Sequence, residues 1–200
     1  MAGNNAAEIR VAGTGKLYVA KVGTKVPAFG TGTPSTDWTD WTDLGLTTGD
    51  GVTFSKKDKL EAVDSWQSVS PVHYVYSARD LSLKFSMLQF NEETLPFFMG
   101  GGAVEQAPTG STGTYKYEIA ERPYVDVRAL GLEFTDLPAG SSTPVTYRFI
   151  IPRGQVTASD DIKLARKAAS TLGITFSAMS NGDGAPLATF LMKDGQYAAS

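Results

Sequence analysis

The chain has no cysteine and one histidine, His73. Without thiols there are no disulfides and no thiolate metal site, which fits folding in a reducing compartment. A zinc site would have to rely on carboxylates, poor chemistry for that metal, and a Ser-His-Asp triad would have to use His73. No G-x-S-x-G elbow accompanies it. His73 lies in a strand-like pattern with Val72 and Val75, where a histidine more often packs or meets solvent than catalyses. Long apolar runs are missing as well: nothing approaches membrane-spanning length, and residues 1–15 lack the basic start and apolar core of a signal peptide. The expectation is a soluble, cytoplasmically made protein without membrane insertion. A basic stripe is also absent. The 18 basic and 21 acidic residues give a net charge of −3, and the densest run, Lys56-Lys57-Asp58-Lys59, is interrupted. Specific DNA reading is therefore not expected. Gly30-Thr31-Gly32 and Gly100 to Gly102 lack the P-loop lysine and the G-x-G-x-x-G spacing. No catalytic residue, cofactor or metal ligand is nominated, and the chain is not expected to be an enzyme.

What is present points to a β fold. Hydrophobic residues make up 42% of the 200, with 3 Trp, 8 Tyr and 10 Phe, too apolar for disorder. A chain of this length buries roughly 70% of its surface as a single domain. The 21 glycines and 10 prolines fall in clusters between alternating runs, as in an all-β chain. No tandem repeat is visible.

The organising stretch is Arg79 to Gly102, RDLSLKFSMLQFNEETLPFFMGGG. Leu81, Leu83, Phe85 and Met87 alternate with Ser82, Lys84 and Ser86, predicting a strand buried on one face and wet on the other. Near residues 92–99 the pattern becomes a short helix, capped by Asn91 or by Thr94 because Pro96 fits only a first turn. Leu95, Phe97, Phe98 and Met99 form its apolar cluster, and Gly100 to Gly102 stop it.

Around that stretch, residues 1–14 read as a flexible arm, 15–195 as one domain and 196–200 as a tail. Strands are expected at Lys16 to Val22, Val52 to Lys56, Val72 to Tyr76, Tyr115 to Ala120, Val125 to Phe134 with a bulge near Gly131, Val145 to Pro152, Leu172 to Met179 and Pro186 to Met192. Asn181-Gly-Asp-Gly184 reads as the hairpin turn joining the last two. Residues 23–37 and 57–71 read as long loops, the second a charged, extended excursion. Residues 156–167 fit either a short helical turn or an extended ribbon. The total is about nine or ten strands, a β-sandwich or barrel-like all-β fold with one flanking helix.

Two further clusters invite a ligand. Asp37, Asp40, Asp43 and Asp50 suggest a calcium loop but lack its alternate carboxylates and closing Glu, so a solvated acidic loop is expected. Trp38, Trp41 and Trp66 could stack on sugar in a carbohydrate-binding or decoration module, although large aromatics in β domains usually anchor a core or a subunit contact.

Three passages together resemble the major tail (tail tube) proteins of long, non-contractile-tailed bacteriophages. They are WTDLGLTTGDGVTFSKKDKLEAVDSWQS at 41–68, the organising stretch, and RFIIPRGQVTASDDIKLARKAASTLGITFSAM at 148–179, where the family has a strand, an Ile-Pro break and a late strand. The resemblance implies a structural protein of the virion tail, assembled in the host bacterial cytoplasm. Its subunits would form six-membered rings stacked into a tube that passes genomic DNA. It implies further copies of itself, a tape-measure protein, a tail terminator and a tail-tip protein as partners. A terminator, tip or secretion-tube protein of the same fold is the neighbouring alternative. On this reading Lys57, Asp58, Lys59, Glu61, Asp64 and Trp66 belong to a ring-stacking loop. Ser82, Lys84 and Ser86 line the lumen, and the Leu95–Met99 helix is a flank against the sheet. Lys84 would need an acidic neighbour in a channel for DNA.

Overall fold

Alternating apolar residues make a strand only where a second surface takes them out of water, and here that surface is a single curved sheet. The computed structural model describes residues 8–29, 38–107, 113–138, 141–182 and 184–197. Among these the strands are β1 (Thr14–Lys21), β2 (Thr42–Asp43), β3 (Thr53–Ser65), β4 (Ser68–Met87), β5 (Val104–Gln106), β6 (Tyr115–Tyr117), β7 (Arg128–Asp136), β8 (Val145–Ser159), β9 (Leu172–Ala178) and β10 (Thr189–Lys193). The helix is α1 (Thr94–Phe98).

The main sheet runs β2-β1-β7-β8-β9-β4-β3, all antiparallel, with β10 added on β8. The segment after β2 closes it. Leu44 N–H donates to Leu17 O at 2.9 Å, then Thr48 N–H donates to Ser86 O at 3.0 Å and Leu88 N–H to Leu46 O at 2.8 Å. With the Thr47–Met87 bridge, this joins β1 to β4 and turns the sheet into a barrel. The all-β, barrel-like expectation therefore holds.

The inside is built in cross-strand rows. Leu17, Leu132 and Phe149 form one, Val19, Leu130 and Ile151 the next. Leu83 faces Phe176 and Phe85 faces Ile174. Leu83, Phe85, Met87, Leu172, Ile174 and Phe176 are all buried in the same core. Helix α1 packs Phe97 and Phe98 into that core, with Phe97 5.9 Å from the Phe176 ring. Asn91 Oδ1 accepts from the N–H groups of Glu93 (3.0 Å) and Thr94 (2.8 Å), while Thr94 Oγ1 donates to Gln89 O (2.8 Å). The N-cap position is Glu93 and Thr94 is the first helical residue, so Thr94 does not cap the helix but ties the incoming chain, while Asn91 serves the Glu93 and Thr94 donors. At the far end Gly101 N–H donates to Pro96 O (2.8 Å) and Gly100 N–H to Phe97 O (3.2 Å), a Schellman closure that requires the positive φ of Gly100.

Several expectations are corrected. Residues 57–71 are not a loop: they are ladder on both sides of a two-residue turn at Trp66-Gln67, and Val72–Tyr76 and Leu81–Met87 belong to one strand of 20 residues. No break falls at Pro152, because β8 runs on to Ser159. Pro152 sits where the partner on one edge changes from β10, which pairs Thr146 to Ile150, to β9, which pairs from Gly154, so its missing N–H costs no ladder bond. The 156–167 stretch is extended: it continues β8, then makes a small Ala165–Ala168 bridge. β10 pairs with β8 and not with β9, so 181–184, of which Asp183 lies outside the described residues, does not join a β9–β10 hairpin. The β7 register shift falls between Arg128 and Leu130, not at Gly131. β5, just after the glycines that end the helix, pairs with β6 in a separate two-stranded sheet.

The terminal and loop expectations fare unevenly. Residues 1–7, 30–37 and 198–200 lie outside the described residues. The described part of the arm is not free: Arg10 Nε donates to Tyr147 Oη (2.8 Å) and Asp194 Oδ2 (2.9 Å), tying the chain start to the end of β10.

Candidate functional site

The most unusual surface is the far part of the β3–β4 hairpin. β9 pairs with β4 only from Ser82 to Met87. Beyond Leu81 the two strands have, among the described residues, only each other as ladder partners, so they leave the barrel as an arm of about 40 Å at ~3.3 Å per residue. Directly paired residues share a face, which the register identifies. The face continuous with the barrel interior carries Phe54 and Leu83, then Lys56 and Leu81, Asp58 and Arg79, Leu60 and Tyr76, and Ala62 and Tyr74. At the root, Arg79 grips Asp58 with Nε (2.7 Å) and Nη2 (3.2 Å), and Lys56 Nζ lies 2.7 Å from the same carboxylate. Hydrogen bonds from Arg79 and then Lys56 lower the Asp58 pKa to about 2. Past this ionic collar, Leu60, Tyr74 and Tyr76 are apolar yet exposed.

The tip turns without glycine. Ser65 pairs with Ser68, and Ser65 Oγ accepts from Gln67 N–H at 3.2 Å, a hydroxyl standing in for turn backbone. Trp66 projects at 100% exposure. The ring-stacking candidates therefore divide. Asp58 is occupied within its own arm, Lys59 and Glu61 pair with each other at 3.2 Å, and Lys57, Asp64 and Trp66 stand in solvent. The residues missed from the sequence are Leu60, Val63, Val69, Val72, Tyr74, Val75 and Tyr76, all exposed on the arm. His73 is also exposed there, opposite Val63.

A second surface is the outside of β3, β4 and β9. Ser82 lies between Ser55 and Ser177, Lys84 between Thr53 and Thr175, and Ser86 beside Gly173. Thr157 of β8 extends the face, its hydroxyl 2.7 Å from that of Ser177. The polar half of the organising strand thus belongs to a broad face of hydroxyls. Lys84, on this face, has the acidic neighbour it needed: Nζ donates to Asp160 Oδ1 at 3.1 Å.

The tryptophans separate. Trp38 and Trp41 are 5% and 9% exposed, folded onto the outer face of β1, β7 and β8. Trp38 stacks on Tyr18 at 4.1 Å and meets Trp41 edge-on at 5.3 Å. A Cβ on Gly131 would come 2.4 Å from the Trp38 ring, so glycine there serves close packing rather than a bulge. Trp38 Nε1 donates to Glu133 Oε2 (3.1 Å), which also accepts from Arg148 Nε (2.6 Å). Arg148, fully buried, donates through Nη1 to Ala28 O at 2.9 Å, and Trp41 Nε1 donates to Lys25 O at 3.1 Å. The described beginning of the 23–37 loop is thus held on its own barrel. This burial removes Trp38 and Trp41 as a sugar platform and leaves Trp66, of the three, facing solvent. Of the acidic cluster, Asp37 lies outside the described residues; Asp43 is 3.5 Å from Lys16, and no group of three or more metal-ligating side chains gathers among the described residues. No described helix is long and apolar enough to cross a membrane.

A third feature is an apolar mouth of about 330 Å³ at the arm's root, between Gly15, Gly49, Phe54, Phe134, Phe149 and Phe190. Phe54 meets Phe149 edge-on at 5.0 Å, and Phe149 lies 4.4 Å from Phe190.

Among the described residues, a barrel with its own core, an apolar arm that the barrel does not cover and a face of hydroxyls are the features that stand out. A search among curated proteins found no match. The family model described as phage tail tube protein matches residues 1–200, the whole chain. The chain belongs to the phage tail tube proteins, structural components of the virion tail.

Proposed function

We propose that the chain assembles into six-membered rings that stack into a tube, and that the tube passes genomic DNA. The observation that carries this is the arm: two long strands with exposed Leu60, Tyr74 and Tyr76 and no second sheet partner beyond Leu81. An isolated two-stranded ribbon is marginal in water, and its open edges invite pairing. A neighbouring subunit supplies both the missing partner and the apolar contact. The ring-stacking role belongs to the arm's apolar face and tip more than to its charged residues, since Asp58, Lys59 and Glu61 are already paired.

The hydroxyl face around Ser82, Lys84 and Ser86 lines the lumen. Its cation is offset by Asp160, so phosphates pass without being held. Helix α1 supports the barrel behind that face through Phe97 and Phe98. The tape-measure protein, the terminator and the tip protein follow as partners at the inside and at the two ends, with assembly in the host cytoplasm. Negative-stain imaging of concentrated protein, alone and with an initiating tail component, should show six-membered rings and tubes. A chain that remains monomeric under both conditions contradicts the proposal.

A further inference from the structure

We infer that Trp66, at the arm tip of one subunit, is seated in the apolar mouth at the arm root of a second copy. The inference rests on the tube reading above and names the contact within it.

Knob and hole match in chemistry. In a chain that is 20% charged, none of the residues lining the mouth carries a charge, and neither does the tip from Ser65 to Val72. Joining them strands no ion in an apolar site. The mouth has aromatic rims that are themselves wet: Phe54 and Phe190 are 43% and 49% exposed, although both contact Phe149. At about 330 Å³ it accommodates an indole. A seated Trp buries about 200 Å², and Trp is among the residues that most often dominate such contacts.

Geometry excludes the chain's own tip as the occupant, so the tip that fits belongs to a second copy on this reading. Phe54 and Leu83, which line the mouth, pair at the arm's root, whereas Trp66 is about 40 Å away along a continuous ladder. The tip cannot reach its own mouth without breaking that ladder. Because knob and hole are different surfaces of one chain, the contact is head-to-tail, the kind that propagates into rings or filaments rather than stopping at a dimer.

The cysteine-free sequence permits a direct test. Gln67→Cys, beside the intact Trp66, is mixed with Gly49→Cys at the mouth, where an added Cβ meets nothing within 4 Å. Under mild oxidation of the assembling protein, the mixture should give a disulfide-linked pair of one of each. Neither variant alone should give it, and adding Trp66→Ser to the Gln67→Cys chain should abolish it. Trp66→Ser alone, and Gly49→Phe as a plug, should each raise the concentration needed for assembly at least tenfold with an unchanged unfolding midpoint. Assembly of the mixed Gln67→Cys and Gly49→Cys chains without the disulfide, or unimpaired assembly of Trp66→Ser, overturns the inference and leaves the tube reading standing. A wild-type chain that never assembles overturns both.

Discussion

Strand β4 passes through two environments. From Leu81 to Met87 it lies between β3 and β9, with Leu83, Phe85 and Met87 in the core and Ser82, Lys84 and Ser86 on the hydroxyl face. From Ser68 to Asp80 it has only β3 beside it, and Tyr74 and Tyr76 stay exposed although they continue the core-facing side. The barrel half is stabilised by surface already removed from water. The arm half holds comparable apolar surface that its own chain does not cover, so its stabilisation awaits another molecule. Stability and assembly should therefore be separable along one strand.

The largest effect is expected in the barrel half, at the clamp on its outer face. Arg148→Ala leaves the buried Glu133 carboxylate without its cation, with the Trp38 Nε1 hydrogen bond remaining, and releases the backbone at Ala28. It should cost about 3–5 kcal/mol, read as a lowered urea midpoint. A loss below 1 kcal/mol would show that the clamp does not support the barrel. Next comes Gly131→Ala, which drives a methyl into the Trp38 ring and should cost about 1–3 kcal/mol. A red shift of tryptophan emission should accompany it as Trp38 loosens.

The arm should behave the opposite way. A Leu60→Ser/Tyr76→Ser double variant removes two exposed apolar groups that face each other. Its unfolding free energy should stay within about 0.5 kcal/mol per site of wild type, while sedimentation shows no rings. A variant that unfolds instead would make the arm part of the folding unit.

The smallest effect is on titration. Asp58 is held at about 2, first by Arg79 and then by Lys56, against an ordinary value of 3.8. Its folded pKa is depressed, so its contribution is fully present above pH 3.8 and is lost as pH falls through about 2. Carboxyl NMR should place its midpoint there, and Arg79→Gln should move the midpoint upward toward 3.8. An unmoved midpoint would remove the ionic collar from the account.

How much of this could be read beforehand follows the same division. Alternation was legible from Leu81 to Met87 because one face of that segment is buried and the other wet. Within the arm only Val72 to Tyr76 reads as a strand; from Lys57 to Pro71 the arm lacks the signal, since strands without a core have no reason to alternate. Its turn, Trp66-Gln67, is not a glycine turn, and Lys56 to Lys59 made the segment look like a charged loop. The Ser/Thr face was half visible, in β4 alone, because its β3, β8 and β9 members come together only through pairing. Whether Trp38 and Trp41 anchor a core or form a platform stays open in the sequence, because nothing local shows that Gly131, on a distant strand, leaves room for an indole. The mid-strand glycine is the available clue, and it marks close packing where its position suggests a bulge. Arg148 gave a quieter one, a charge between Tyr147 and Phe149 on a strand that proves to be buried on both faces.

Amide hydrogen exchange, compared between unassembled subunits and tubes, tests the separation most directly. In unassembled subunits, amides of β1, β7, β8, β9 and the Leu81–Met87 part of β4 should already be protected, while those from Lys57 to Asp80 exchange rapidly. In tubes the arm should gain protection of at least a hundredfold and the barrel should change little. An arm as protected before assembly as after it would contradict the account.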